Sequence, residues 1–319
     1  MRLKKLLLIK TKIKISKTLK ISVKLIGTIL VCWVLINTIS LVDIKYNLNK
    51  CDIDILLLSF GLTFFCPFII SSRLFLFVKI FQSNCSFYSC VKSSMSGLSL
   101  NLFIPARGGD FIKIIYLKNE GRTKWSDLAN AAIWERIFDV FALLFLGFLG
   151  SSLIGFSKLS YLLVFFILTL ILSLLLLKRL SKYYISNSKI YYFFASSNYI
   201  SENPTLTFFA FVNCLFCWLL NITIMALLLH SIDPKLIFLH SLAATPPSIL
   251  SGILPISFWG IGVRDGALAY FLQGITTPEI AISAGFLYTA LVYWLLGLIG
   301  TPFLLFAKRK PKESNPIQN

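Results

Sequence analysis

Three clusters of charge stand inside otherwise apolar sequence. The first is Pro105-Ala106-Arg107-Gly108-Gly109-Asp110, with Lys113 three residues on. Gly108-Gly109 would let backbone N–H groups come close to an anion. Arg107 could grip a phosphate in a bidentate fashion that Lys cannot match. The competing reading is a basic turn with Arg107 paired to Asp110. The second cluster is Trp134-Glu135-Arg136-Ile137-Phe138-Asp139. Glu135 and Asp139 share a helix face at i,i+4, and Arg136 can reach Asp139 at i,i+3. Glu135 is then left for a cation elsewhere, such as Arg107 or Arg264. The third is Gly260-Ile261-Gly262-Val263-Arg264-Asp265-Gly266, preceded by Pro255. It repeats the first in character: Pro, Gly, Arg, acid, then a short amphipathic helix. No βαβ pattern surrounds it, so it is not a dinucleotide fingerprint.

Charge at these places matters because the surrounding chain reads as membrane. The 319 residues are 57% hydrophobic and only 14% charged. Several apolar runs reach the roughly 20 residues that a helix needs to cross hydrocarbon. An ionisable group at such a depth is costly and points to function. The net charge is +18, gathered at the ends of apolar runs as beside an anionic cytoplasmic leaflet. That placement argues against a nucleic-acid partner.

The elements that must position the clusters read as follows. Residues 1–24 form a basic amphipathic lead-in on the cytoplasmic surface. Six full spans are expected at about 22–42, 55–74, 127–155, 159–177, 206–229 and 279–306. The second is broken near Pro67 and ends at Arg73 and Lys79. Ser126 would cap the third. Two further stretches, 86–118 and 236–275, are apolar only in short pieces. Pro105, Gly108 and Gly109 interrupt the first, and Pro246-Pro247, Pro255 and several glycines chop the second. Backbone broken at membrane depth is tolerable inside protein or against a watery cavity. The fold class is therefore all-α and polytopic, with two re-entrant segments and both termini in the cytoplasm of a cell-membrane protein. The residues from 309 form a cytoplasmic tail. The two broken stretches, entering from opposite sides about 150 residues apart, read as an inverted repeat with halves at about 25–157 and 158–308.

The run Asn101 to Leu117, the segment Glu135-Arg136-Ile137-Phe138-Asp139, and Gly260 to Asp265 together resemble the flippase-like transmembrane domain of lysylphosphatidylglycerol synthases. The resemblance runs from about 20 to 308. This chain has Asp110, Asp265 and Lys113 where such proteins often have Glu, Glu and Arg, which keeps charge but alters reach. Only a short tail follows Lys310, so the resemblance implies lipid translocation or handling rather than synthesis of aminoacyl-lipid.

The expected function is flippase-like handling of an anionic phospholipid or a polyprenyl-phosphate lipid. Arg107, Lys113, Arg136 and Arg264 would hold the anion, against the backbone of Gly108, Gly109, Gly260 and Gly262. Asp110, Glu135, Asp139 and Asp265 would orient those cations or gate. No residue is assigned a catalytic role, and no cofactor or metal is expected. One alternative is a membrane-embedded glycosyltransferase, in which Asp52 and Asp54 bind a divalent cation, although two acids at a helix N-terminus are also favoured by the dipole. Another is an accessory subunit for envelope-lipid or glycan synthesis enzymes. Cys214 and Cys217 have CxxC spacing but lie within a span, where they read as small apolar residues. His230 reads as an interfacial residue. Neither GxSxG nor HExxH occurs.

Overall fold

In a computed structural model the protein is described over residues 41–102, 109–120, 124–181, 196–253 and 260–306, and every described regular element longer than an isolated bridge is a helix. Helix α1 is Leu41–Asn49, α2 is Ile53–Thr63 and α3 is Cys66–Ile80. Together α2 and α3 form one candidate span, Ile53–Ile80. The break falls at Phe64 and Phe65 because Pro67, in the first turn of α3, has no N–H to continue the ladder. The helix ends at Ile80, beside Lys79, but Arg73, expected with Lys79 at the basic end of the span, is buried midway along it.

The first broken stretch is a hairpin of α4 (Phe87–Asn101) and α5 (Gly109–Glu120). Ser86 caps α4 by accepting from the Ser89 N–H at 3.1 Å, so the helix begins earlier than its apolar piece. At 15 and 12 residues, each rises only about 18–23 Å, less than the hydrocarbon thickness. Helix α6 follows at Trp125–Ile154 and α7 at Ser157–Ser181. The start of α6 corrects the expected cap. Ser126 lies within the helix and donates to Asp127 Oδ1, while the Leu128 N–H bonds the Lys124 carbonyl.

Helix α8 is Ser197–Glu202 and α9 is Pro204–Ile232. The second broken stretch is α10 (Phe238–Ile253) and α11 (Val263–Phe271), which pack on each other. Here Pro246-Pro247 do not chop the helix. They sit inside α10, and their missing N–H groups leave the Leu242 and Ala243 carbonyls without their usual i+4 donors. Gly150 of α6 accommodates this. A Cβ there would collide with the Leu242 carbonyl carbon and stand 2.6 Å from its oxygen. The last span is α12 (Pro278–Tyr288), a π-helical turn at Thr289–Leu295, and α13 (Leu296–Phe306). Five helical stretches among the described residues are long and apolar enough to cross a membrane. The expected first span, 22–42, lies almost wholly outside those residues.

The chain forms two compact units. One takes the described residues of Met1–Thr63, Asp139–Ser173 and Trp218–Leu291; the other takes those of Phe64–Phe138, Leu174–Cys217 and Val292–Asn319. Each holds one broken hairpin, and each seats its hairpin on a glycine pair. In the first unit, Gly147 and Gly150 meet Pro246, Pro247 and Leu242 of α10. In the second, Gly297 and Gly300 meet Leu102, at the end of α4, and the Met95 carbonyl. The two pairs sit in strings of one pattern, Leu146-Gly147-Phe148-Leu149-Gly150 and Leu296-Gly297-Leu298-Ile299-Gly300. Small residues let helix backbones approach closely where lipid offers no hydrophobic driving force.

Candidate functional site

In the second unit four ionisable side chains converge. Arg73 sits midway along α3, Lys113 one turn into α5, and Glu135 and Arg136 on the third turn of α6. Arg73 Nε and Nη2 both reach Glu135 Oε1, at 3.1 and 2.9 Å. Lys113 Nζ donates to Oε2 at 2.8 Å. Arg136 Nη2 lies 3.3 Å from Oε1. The Arg73, Lys113 and Glu135 side chains are 4, 2 and 0% exposed, whereas that of Arg136 is 35% exposed. Three bases around one acid carry a formal surplus of positive charge. The side chain of Glu135 accepts from all three, which is the condition under which buried charge is tolerated.

The hairpin holds Lys113 in place by close backbone packing. A Cβ on Gly109 would strike the Gly97 carbonyl and stand 2.7 Å from Asn101 Oδ1. The Gly109 N–H donates to that same Asn101 oxygen at 2.9 Å, so the last residue of α4 caps α5. One turn further, Ser93 donates to the Lys113 carbonyl at 2.7 Å.

The first unit has its own polar centre. Arg264 Nε donates to Asp265 Oδ1 at 2.9 Å, and Nη2 contacts the same oxygen. Nη2 also reaches the Gly285 carbonyl at 2.9 Å and Thr289 Oγ1 at 2.7 Å. The guanidinium lies 5.0 Å from the Tyr288 ring centre, and the Tyr288 hydroxyl donates to Asn221 Oδ1 at 2.8 Å. Asp265 Oδ2 accepts the Gly262 N–H at 3.1 Å across the start of α11. Gly260 and Gly262 have φ of +73° and +80°, the left-handed region that favours glycine. Gly260 also packs against Gly252, where a Cβ would stand 3.0 Å from the Gly252 Cα. Asp139 belongs to this unit and accepts from Trp218 Nε1 at 2.9 Å.

These placements sort the expected site residues. Lys113, Glu135 and Arg136 come together. Arg264, Asp265, Gly260 and Gly262 come together separately. Gly109 serves the hairpin crossing. Arg107 and Gly108 lie outside the described residues, as does the side chain of Asp110. Glu135 finds its cations in Arg73, Lys113 and Arg136, which corrects the expected pairing with Arg264; Arg264 takes its own neighbour Asp265. Arg73 was missed because it read as the basic end of a span. The signal was Pro67, which starts a new helix rather than ending one.

The lysylphosphatidylglycerol synthase TM region family model matches residues 20–300. The chain belongs to this family. Membership makes it a multi-pass membrane protein whose function concerns membrane lipid. No curated protein matches it. The three charge clusters of the sequence and the four-residue ion cluster all fall within the lysylphosphatidylglycerol synthase TM region match.

The sites proposed for other chemistry are occupied by structure. Asp52 Oδ1 accepts the Asp54 and Ile55 N–H groups at 2.9 and 3.3 Å, capping α2. Cys217 Sγ lies 3.6 Å from Arg73 Nη1, and Cys214 is buried. His230 Nδ1 lies 2.9 Å from the Leu236 carbonyl oxygen. Among the described residues no group of His, Cys, Asp or Glu is arranged to hold a metal.

Proposed function

We propose that the protein translocates or handles an anionic lipid, a phospholipid or a lipid-linked phosphate, in the cell membrane with both termini in the cytoplasm. The observation that carries this reading is the buried cluster of Arg73, Lys113 and Arg136 about Glu135. Basic groups held inside a membrane protein, next to a helix too short to cross, suit a phosphate headgroup whose acyl or isoprenoid chains stay in lipid. The two glycine-seated hairpins support an inverted repeat, and with it alternating exposure of the headgroup to the two leaflets. Arg107, Gly108, Gly109 and Asp110 would contact the headgroup. Arg264, Asp265, Gly260 and Gly262 would do so in the other repeat, with Asp139 bracing α6. Envelope-lipid or glycan synthesis enzymes are the expected neighbours.

Reconstitution into vesicles carrying a fluorescent anionic lipid in one leaflet tests this. Wild-type protein is expected to move that lipid between leaflets. Arg136→Ala, Arg107→Ala and Arg264→Ala are expected to abolish movement while the protein stays folded. Full translocation by all three variants would defeat the reading.

A further inference from the structure

Glu135 presents two oxygens to three bases, in the geometry that the two free oxygens of a phosphodiester offer. Arg73 and Lys113 are tied to it at 2.8 to 3.1 Å and are almost wholly buried. Arg136 is different. It makes the longest contact, 3.3 Å, and its side chain is 35% exposed. It stands next to Glu135 in the chain, so its guanidinium can leave Oε1 by side-chain rotation alone. Arg73 and Lys113 hold the carboxylate at shorter distances with their side chains almost wholly buried, so they stay on it.

We propose that Glu135 is a built-in stand-in for the substrate phosphate, and that Arg136 is the arm that exchanges between them. Without a headgroup, Arg136 rests on Glu135. With one, it turns to the phosphate, and Glu135 remains to neutralise Arg73 and Lys113. Recognition of the phosphodiester then resides in a competition between two oxyanions for one guanidinium. This rests on the anionic-lipid reading and assigns the contact within it.

The test is binding of short-chain phosphatidylglycerol to the full chain in detergent, measured by calorimetry, with inorganic phosphate and short-chain phosphatidylcholine alongside. Glu135→Gln removes the competitor and is expected to tighten phosphatidylglycerol binding by about tenfold, the size of one charge-assisted hydrogen bond. Arg136→Ala is expected to weaken it by at least about as much, and Arg136→Lys to restore part of it. If Glu135→Gln fails to fold, Glu135→Asp, which withdraws the carboxylate by one methylene, should tighten binding to a smaller extent. Weaker or unchanged binding by a folded Glu135 variant overturns the stand-in, as does wild-type affinity in Arg136→Ala. Inorganic phosphate showing the same variant pattern assigns recognition to the phosphate alone; a response to phosphatidylglycerol only adds the lipid body to it. Equal binding of phosphatidylcholine, which carries the same phosphodiester, with the same variant pattern supports the exchange and overturns the restriction to anionic lipids in the proposed function. If this pattern holds but vesicles show no lipid movement, the transport reading fails and the exchange stands.

Discussion

Lys113 Nζ and Glu135 Oε2 meet at 2.8 Å with both side chains buried. This bond ties a hairpin helix to the span that follows it. Removing Lys113 takes the donor from buried Oε2 while Arg73 and Arg136 still hold Oε1, at a cost of about 1.5–3 kcal/mol for a lost hydrogen bond to a charged group. Lys113→Met is therefore expected to lower the melting temperature of the detergent-solubilised protein sharply. Arg136→Met, at the exposed edge of the same cluster, should cost about 1 kcal/mol or less. A thermal melt followed by circular dichroism distinguishes them, and equal losses would contradict the ranking.

The glycine seats predict a second contrast. At Gly150 and Gly300 a Cβ would meet backbone atoms, of Leu242 and Met95 respectively. Backbone cannot yield as a flexible side chain does, so Gly150→Ala and Gly300→Ala should each destabilise by about 1–3 kcal/mol. Gly61, in α2, has nothing within 4 Å of a built Cβ. Gly61→Ala should be neutral or gain up to about 1 kcal/mol from helix propensity. The same thermal assay reads all three.

Arg264 serves Asp265, Gly285 and Thr289 through one planar group. Lysine keeps the charge but cannot satisfy these acceptors together. Arg264→Lys is expected to cost about 1.5–3 kcal/mol. Preserved stability in that variant would show that charge alone suffices there.

His240 lies in the first turn of α10, where its Nδ1 accepts the Ile237 N–H at 3.2 Å. Burial pushes its pKa below the usual imidazole value. The unfolded chain thus takes up a proton more readily than the folded one, so stability rises with pH across the window below about 6.5. As pH falls through that value, the contribution of this residue is lost. His240→Gln should flatten the corresponding segment of the stability–pH curve between pH 7 and 5, and an unchanged slope would assign the dependence elsewhere.

The membrane class, the two broken stretches and the need of Glu135 for distant cations were all legible in the residues, because hydropathy and intramembrane charge are local signals. Partner identity was not. The indole of Trp218, which donates to Asp139, is 79 residues away in the chain, and Arg73 read as a surface charge until α3 placed it, buried, midway along the helix. Pro246-Pro247 read as a break because the relief offered by Gly150 comes from another helix. The two Gly-x-x-Gly strings around Gly147 and Gly297 are visible in the sequence, but that both seat a broken hairpin comes only from the packing.

The contact between Gly150 and the Leu242 carbonyl bears on chimera design. Helix α10 depends on a partner without a side chain at one particular height, so α6 and α10 form an inseparable set. A hybrid that imports one without the other would force a methyl group into a peptide unit that Pro246 has already deprived of its donor. Successful exchanges between relatives should therefore carry residues 147–150 and 242–247 together.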